Sequence, residues 1–104
     1  MSSIVDHIGV PALLEQTAEE CCELAQACLK MARKLRDENP TPKSIEDIRD
    51  NLVEEMADVQ LCRILLAEAG VVGYREPLSI CHDKEERWEK RLGLSLDLEE
   101  DDGN

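Results

Sequence analysis

The chain has 104 residues, a formal net charge of −12 and 2% aromatic residues, with no Phe. This length supports one small domain. The negative charge disfavours polymeric nucleic acid as a partner, because that binding needs Lys and Arg to neutralise phosphates. The N-terminal segment lacks the basic and apolar regions of a secretory signal, and no apolar run approaches the roughly 18 residues of a membrane-spanning helix. We therefore expect a cytoplasmic protein without a membrane partner.

The first predicted helix covers residues 12–36. Pro11 suits its first turn, since proline lacks a backbone N–H that this turn would leave unpaired. The helix should end before Pro40 and Pro42, because two prolines this close cannot continue it. Apolar or small side chains recur in steps of three, four or seven, and they predict a buried stripe of Leu13, Thr17, Leu24, Cys28, Met31 and Leu35.

The second predicted helix begins near Ser44 and runs to about Ala69. Ser44 and Asp47 resemble a capping box, and Gly70 suits the left-handed conformation that stops a helix. The buried stripe of this helix is predicted to contain Ile45, Ile48, Leu52, Val59, Cys62 and Leu66. We expect Cys62, like Cys28 on the first helix, to serve as a small buried hydrophobic residue.

A third helix is predicted from about Pro77 or Ser79 to Gly93, after a turn that contains Gly73. We expect residues 1–93 to form one helical domain. Residues 94–104 end in a run of Asp and Glu, and we expect them to be a disordered acidic tail.

The sides of the two long helices that face away from these stripes are also apolar. The residues concerned are Ala18, Cys22, Ala25 and Leu29 on the first helix, and Val53, Ala57, Leu61, Ile64 and Leu65 on the second. A helix that is apolar all round is buried all round, and three helices cannot cover so much surface. We therefore expect an all-α antiparallel bundle that is completed by assembly into a homodimer or a larger homo-oligomer.

Two acidic pairs interrupt the apolar stripes at equivalent positions. Glu20 and Glu23 are separated by one three-residue step on the first helix, as are Glu55 and Asp58 on the second. At about 100° per residue, Glu20 and Glu55 fall inside their stripes, and Glu23 and Asp58 fall on the same edge of each. If the two helices pack antiparallel through their stripes, the four carboxylates converge on one pocket.

Such a cluster needs compensating positive charge, because burying an unpaired carboxylate is strongly unfavourable. Divalent cations are the simplest source, and hard oxygen ligands suit Mg²⁺ or Mn²⁺. A di-iron centre is disfavoured, because it requires His at the second position of each pair. The alternative is a structural bundle in which salt bridges neutralise the acids, with Lys30, Lys34 or Arg49 as the cations.

The two acidic blocks resemble a known signature. Glu19-Glu20-Cys21-Cys22-Glu23, followed by Glu55-Met56-Ala57-Asp58, is similar to the E-E-x-x-E … E-x-x-D pattern of MazG-like nucleotide pyrophosphohydrolases. The resemblance extends from Gln16 to about Leu92. It implies an all-α NTP pyrophosphatase fold that oligomerises, with Mg²⁺-dependent hydrolysis of a nucleoside triphosphate to a monophosphate and pyrophosphate. It also implies a set of metal ligands, which are Glu20, Glu23, Glu55 and Asp58.

The reaction also needs a base and a site for phosphates. A carboxylate that is not fully engaged in coordination could take the proton of the attacking water, and we assign this role to Glu23. The third helix has a basic face, similar to the basic last helix of the family, which we expect to hold the outer phosphates. Its members are Lys84, Arg87, Lys90 and Arg91. The alternative is that these cations pair with acids of the same helix, namely Glu85, Glu86 and Glu89.

A different class of function fits the same residues. The chain could be a non-catalytic helical interaction or ion-binding module, whose acids bind ions or a basic partner without turnover. Release of pyrophosphate from a nucleotide separates the enzyme from this module. The sequence leaves the base and the sugar of the substrate open.

Overall fold

The structure is a computed structural model that describes residues 3–38 and 42–94. Four helices account for most of these residues: α1 (Ser3–Ile8), α2 (Val10–Arg36), α3 (Ile45–Glu68) and α4 (Glu76–Leu92). The described ranges contain no strand, so the expected all-α class is confirmed. No helix within them combines the length and the apolar composition needed to cross a membrane. The chain divides into two compact units, Met1–Val71 and Val72–Asn104.

Helix α2 begins slightly before the predicted position and ends where it was predicted. Pro11 lies in its first turn, as expected. The preceding short helix α1 was not predicted, and Gly9 separates the two with a φ of 86°. This conformation is readily adopted only by glycine, so Gly9 allows the chain to change direction between α1 and α2. Val5 of α1 and Leu13 of α2 are both buried in the first unit.

The predicted signals at both ends of α3 are confirmed. The Ser44 hydroxyl oxygen accepts a hydrogen bond from the backbone N–H of Asp47 at 3.1 Å, which satisfies one of the unpaired donors of the first turn. At the other end, Gly70 has a φ of 79°. Its backbone N–H donates to the Ala67 carbonyl oxygen at 3.0 Å, so the left-handed glycine stops the helix.

The core of the first unit is the seam where α2 packs on α3. Only eight residues separate the two packed helices in the sequence, so the helices run antiparallel. Residues that are buried or half-buried recur in alternating steps of three and four, the spacing of helices that pack side by side. They are Leu13, Thr17, Glu20, Leu24, Ala27 and Met31 on α2, and Ile48, Leu52, Glu55, Val59, Cys62 and Leu66 on α3.

The predicted stripe of α2 was wrong at Cys28 and Leu35. Cys28 is exposed, and the side chain of Leu35 is 70% exposed. Ala27 occupies the buried position instead, with 1% exposure. Both Ala27 and Cys28 fit a helical step from Leu24, and a small alanine at the contact allows the two helix backbones to approach closely. The burial predicted for Cys62 on α3 is confirmed.

The second apolar row of α2 has no cover within the described chain. Ala18, Cys22, Ala25 and Leu29 are all exposed. The second apolar row of α3 is only partly uncovered, because Val53 and Leu61 are exposed whereas Leu65 is buried. The apolar surface left open by the first unit is therefore real, although the chain covers part of the α3 face itself.

Helix α4 forms most of the second described unit. It begins at Glu76, close to the predicted start, and ends before Gly93, whose φ is 75°. The Glu76 carboxylate accepts a hydrogen bond from the Gly73 N–H at 2.6 Å, which closes the turn that precedes the helix. The tail predicted for residues 94–104 lies outside the described residues, apart from Leu94.

Replacement of Leu13 by Ala should destabilise the protein. Leu13 is 1% exposed, and a buried Leu→Ala change typically lowers the free energy of unfolding by about 2–5 kcal/mol. Leu35→Ala, on the last turn of the same helix, is the matched control and should change it by less than about 0.5 kcal/mol. Urea denaturation followed by circular dichroism measures both. Equal losses in the two variants would contradict the assignment of the core.

Candidate metal centre

Glu20 and Glu55 occupy core positions of the α2–α3 seam. Glu20 lies between Thr17 and Leu24 in the three-four repeat of α2, and Glu55 lies between Leu52 and Val59 in that of α3. Both glutamates are half-buried, as expected for residues inside a packed stripe. The repeat that brings the apolar side chains of the two helices together therefore also brings these two acids together.

Three of the predicted ligands converge in the structure. Glu20, Glu23 and Glu55 each offer a carboxylate oxygen, and these oxygens all lie within 4.8 Å of one another. Two oxygens on opposite sides of an octahedral Mg²⁺ are separated by about 4.2 Å, because each Mg–O distance is about 2.1 Å. Neighbouring oxygens around the same ion are separated by about 3.0 Å, so three oxygens that bound one Mg²⁺ would include at least two pairs at that shorter distance. Glu23 is exposed, so one side of the group is open to solvent.

Two oxygens of this group are shielded from water and lack a partner. Oε1 of Glu20 and Oε1 of Glu55 are buried and receive no hydrogen bond. The other oxygen of Glu20, Oε2, accepts a hydrogen bond of 2.7 Å from the side-chain amide of Gln16. Buried polar atoms in proteins are normally paired, so the two orphaned oxygens mark a position where a cation could bind.

Electrostatic strain in the group is concentrated on Glu55. Burial raises its pKa above the ordinary value of 4.5, and the charges of Glu23, Asp58 and Glu20, in that order, raise it further. A side-chain hydrogen bond with Glu23 acts in the same direction. All these contributions favour the protonated form. A bound divalent cation would reverse them, because it stabilises the ionised carboxylate.

Asp58 does not join the three converging oxygens. It lies outside the group defined by the 4.8 Å limit, although its charge contributes to the raised pKa of Glu55. Asp58 is exposed, and its side chain is one methylene shorter than that of glutamate. The sequence predicted that four carboxylates converge. Three of them do so in the structure, and the fourth, Asp58, is close enough for its charge to act on Glu55.

Salt bridges do not neutralise the cluster within residues 3–38 and 42–94. No ion pair involves any of the four acids in these ranges. Arg49, one of the cations considered from the sequence, instead lies 3.6 Å from Asp50 on the exposed side of α3. The donor set is therefore composed of hard oxygens without a protein counter-charge, and such a set fits Mg²⁺ or Mn²⁺.

The predicted phosphate-binding residues belong to the second unit. Lys84, Arg87 and Arg91 line one surface hollow together with Trp88, and we call these four residues the basic hollow. Lys90 is exposed on the same helix but does not line it. The alternative pairing with acids of α4 is absent among the described side chains, where Glu86 instead lies 3.8 Å from His82.

Gln16 is the residue of the site that the sequence analysis missed. Its hydrogen bond to Glu20 holds one carboxylate oxygen and leaves the other facing the cluster. The signal was present in the sequence, because a Gln four residues before a Glu lies on the same face of a helix and can reach its carboxylate.

Comparisons of the chain with models of protein families, with curated proteins and with solved structures found no match.

Glu55→Gln should stabilise the metal-free protein at neutral pH. The pKa of Glu55 is raised in the folded state. The folded protein therefore binds the carboxyl proton of Glu55 more tightly than the unfolded protein does. Stability is therefore lost as the pH rises from 4.5 through the raised pKa. The amide variant never carries this charge, so its Tm in a chelator should exceed that of the wild type at neutral pH. The difference should shrink as the pH falls towards 4.5.

Glu54→Gln is the matched control for this experiment. Glu54 is the exposed neighbour of Glu55 and lies outside the cluster. Its variant should follow the wild-type Tm across the pH range, since surface substitutions usually have small effects. A Glu55→Gln protein that is less stable than the wild type in chelator at neutral pH would contradict the strain assigned to Glu55.

Proposed function

We propose that the protein is a Mg²⁺-dependent nucleoside triphosphate pyrophosphohydrolase of the all-α NTP pyrophosphatase type, acting in the cytoplasm. Its substrate would be cleaved to a nucleoside monophosphate and pyrophosphate. The observation that carries the proposal is the convergence of Glu20, Glu23 and Glu55 at a seam otherwise built from apolar layers, with two orphaned carboxylate oxygens. The resemblance of the two acidic blocks to the MazG-like signature supports the same reaction.

The proposed ligands are Glu20, Glu23, Glu55 and Asp58. Glu20 and Glu55 supply the shielded oxygens, and Gln16 fixes the orientation of Glu20 through its hydrogen bond. Asp58 would join as an outer ligand at the open edge of the seam. When bound, Mg²⁺ would neutralise phosphate charge and lower the pKa of a coordinated water.

Glu23 is the proposed general base. It is exposed, whereas its partners Glu20 and Glu55 are half-buried. A carboxylate at the solvent side can accept a proton at an Oε atom and release it to bulk water. A side-chain hydrogen bond joins Glu23 to Glu55, so the proposed base is in direct contact with a proposed ligand.

Cations are also needed for the phosphates that leave as pyrophosphate. Lys84, Arg87, Lys90 and Arg91 remain our prediction for this role, because charge-assisted hydrogen bonds from Arg and Lys hold phosphates well. They are exposed side chains of α4 and have no ion-pair partner in the described part of the chain.

A homo-oligomer is part of the proposal. The α2 row of Ala18, Cys22, Ala25 and Leu29 is exposed in one copy, and Leu61 on α3 is 49% exposed. Contiguous exposed apolar surface on a small protein marks an interaction site. A second copy offers the same surface and can bury it by symmetry.

Catalysis is tested by measuring pyrophosphate release from a panel of canonical and modified nucleoside triphosphates in Mg²⁺ and Mn²⁺. The wild type should hydrolyse at least one member. Glu55→Gln should lower kcat by about 10²–10³-fold, the effect typical of removing one group that stabilises transition-state charge. Glu54→Gln, the exposed neighbour, should retain activity close to that of the wild type.

The same variants separate the rival functions. An ion-binding module predicts Mg²⁺ binding by isothermal calorimetry, lost in Glu55→Gln, without turnover of any nucleotide in the panel. A purely structural bundle predicts that neither protein binds Mg²⁺. Either result would refute the enzyme.

The oligomer is tested by sedimentation velocity. A charge placed in the exposed apolar rows should disrupt a symmetric interface, because it would be buried without a partner. Leu29→Glu and Leu61→Glu should therefore sediment as monomers, whereas the wild type and the Leu35→Glu control should sediment as a dimer or larger assembly. A monomeric wild type at micromolar concentration would contradict the proposal.

A further inference from the structure

The basic hollow is a positive surface on an acidic protein. Lys84, Arg87 and Arg91 surround Trp88, whose side chain is 61% exposed. Their helical spacing places one cation on each successive turn of α4. Across the described ranges, none of the three forms an ion pair. The chain has a net charge of −12, so three cations without an ion-pair partner in the described ranges, beside an exposed indole, form a candidate binding surface for an anionic group.

The chain itself contains a segment of complementary chemistry. Residues 95–104 follow α4 after Gly93 and Leu94, and they read Ser-Leu-Asp-Leu-Glu-Glu-Asp-Asp-Gly-Asn. We call them the acidic tail. The acids Glu99, Glu100, Asp101 and Asp102 match the cations of the hollow, and Leu96 and Leu98 offer apolar contacts to the indole. The acidic tail therefore offers both an apolar partner for Trp88 and negative charges for the cations around it.

The length of the tail also fits. Lys84 and Arg91 are seven residues apart, so they are separated by about 10 Å along the helix axis. An extended chain spans roughly 3.3 Å per residue, so residues 95–102 could reach back over about 25 Å. The left-handed Gly93 ends the helix and reverses the backbone at the point where such a return would begin.

We propose that the acidic tail docks on the basic hollow of its own chain. Each surface ion pair contributes little by itself, but the tail is tethered, so its effective concentration at the hollow is in the millimolar range. The docked tail would shield Trp88 and neutralise Lys84, Arg87 and Arg91. Free polyanions must then displace the tail to bind there. If the proposed function is correct, the tail thereby competes with the phosphates of the substrate.

Trp88 gives a direct test, because it is the only Trp in the chain. Its fluorescence quenching by acrylamide is compared between the wild type and a full-length tail variant, in which Glu99 and Glu100 become Gln and Asp101 and Asp102 become Asn. The quenching constant should be larger in the tail variant. Added NaCl should raise the wild-type constant towards the same value, because salt screens exposed charge pairs.

A second measurement uses inorganic triphosphate as the probe, in a chelator and without turnover. Its dissociation constant should fall by roughly fivefold in the tail variant, the size expected when a few surface ion pairs no longer compete. This readout is independent of catalysis, so an inactive enzyme would refute the proposed function and leave the tail proposal standing. Unchanged quenching together with unchanged triphosphate binding would overturn the tail proposal.

Two controls make the test specific. Replacing four exposed acids outside the hollow and the metal cluster with Gln gives the same change in net charge and should leave both readouts at their wild-type values. These acids are Glu15, Glu38, Glu46 and Glu68. In an Arg87→Gln, Arg91→Gln background, tail neutralisation should no longer change the quenching constant, because the two effects share one interaction. A quenching constant that depends on protein concentration would assign the hollow to a second copy instead and would overturn docking within one chain.

Discussion

The placement of Glu20 and Glu55 in an apolar seam is the constraint on which the rest of the molecule depends. At the other buried or half-buried positions of the α2–α3 seam, aliphatic or small side chains pack together. Glu20 and Glu55 instead place carboxylates there, and one oxygen of each has no hydrogen-bond donor. The raised pKa of Glu55 records the resulting strain. A sequence optimised for stability alone would replace both residues. Local violations of the rules of packing are typical of positions kept for function.

The seam residues on either side of Glu20 and Glu55 hold these two glutamates in place. Thr17 and Leu24 flank Glu20, and Leu52 and Val59 flank Glu55, so the acids are held between packed layers rather than at a frayed end. The Thr17 hydroxyl donates to the Leu13 carbonyl oxygen at 2.8 Å and is thereby satisfied within its own helix. Gln16 donates a hydrogen bond to Oε2 of Glu20. This hydrogen bond fixes one oxygen of Glu20 without the help of a cation.

Much of this fold could be predicted from local chemistry, and the remainder depends on distances that a sequence does not contain. Ser44 and Gly70 marked the ends of α3 because capping and left-handed stops depend on single residues. The sequence could not show which of Ala27 and Cys28 is buried in the seam, because both fit the helical periodicity. That outcome depends on how closely the two helix backbones approach. Likewise, projection placed Asp58 beside Glu55, but Asp58 lies outside the converging group.

The small core would connect the proposed metal binding to the proposed assembly. Among the described residues, seven apolar side chains are buried, a number low enough that packing within one chain supplies little stability. The charged layer in the seam reduces that stability further. A ligand that binds only the folded state stabilises it by mass action, and a second copy that covers the exposed rows does the same. Cation binding at Glu20 and Glu55 and burial of Leu29 and Leu61 would therefore favour the same folded state. Each process would then strengthen the other without direct contact between the two sites.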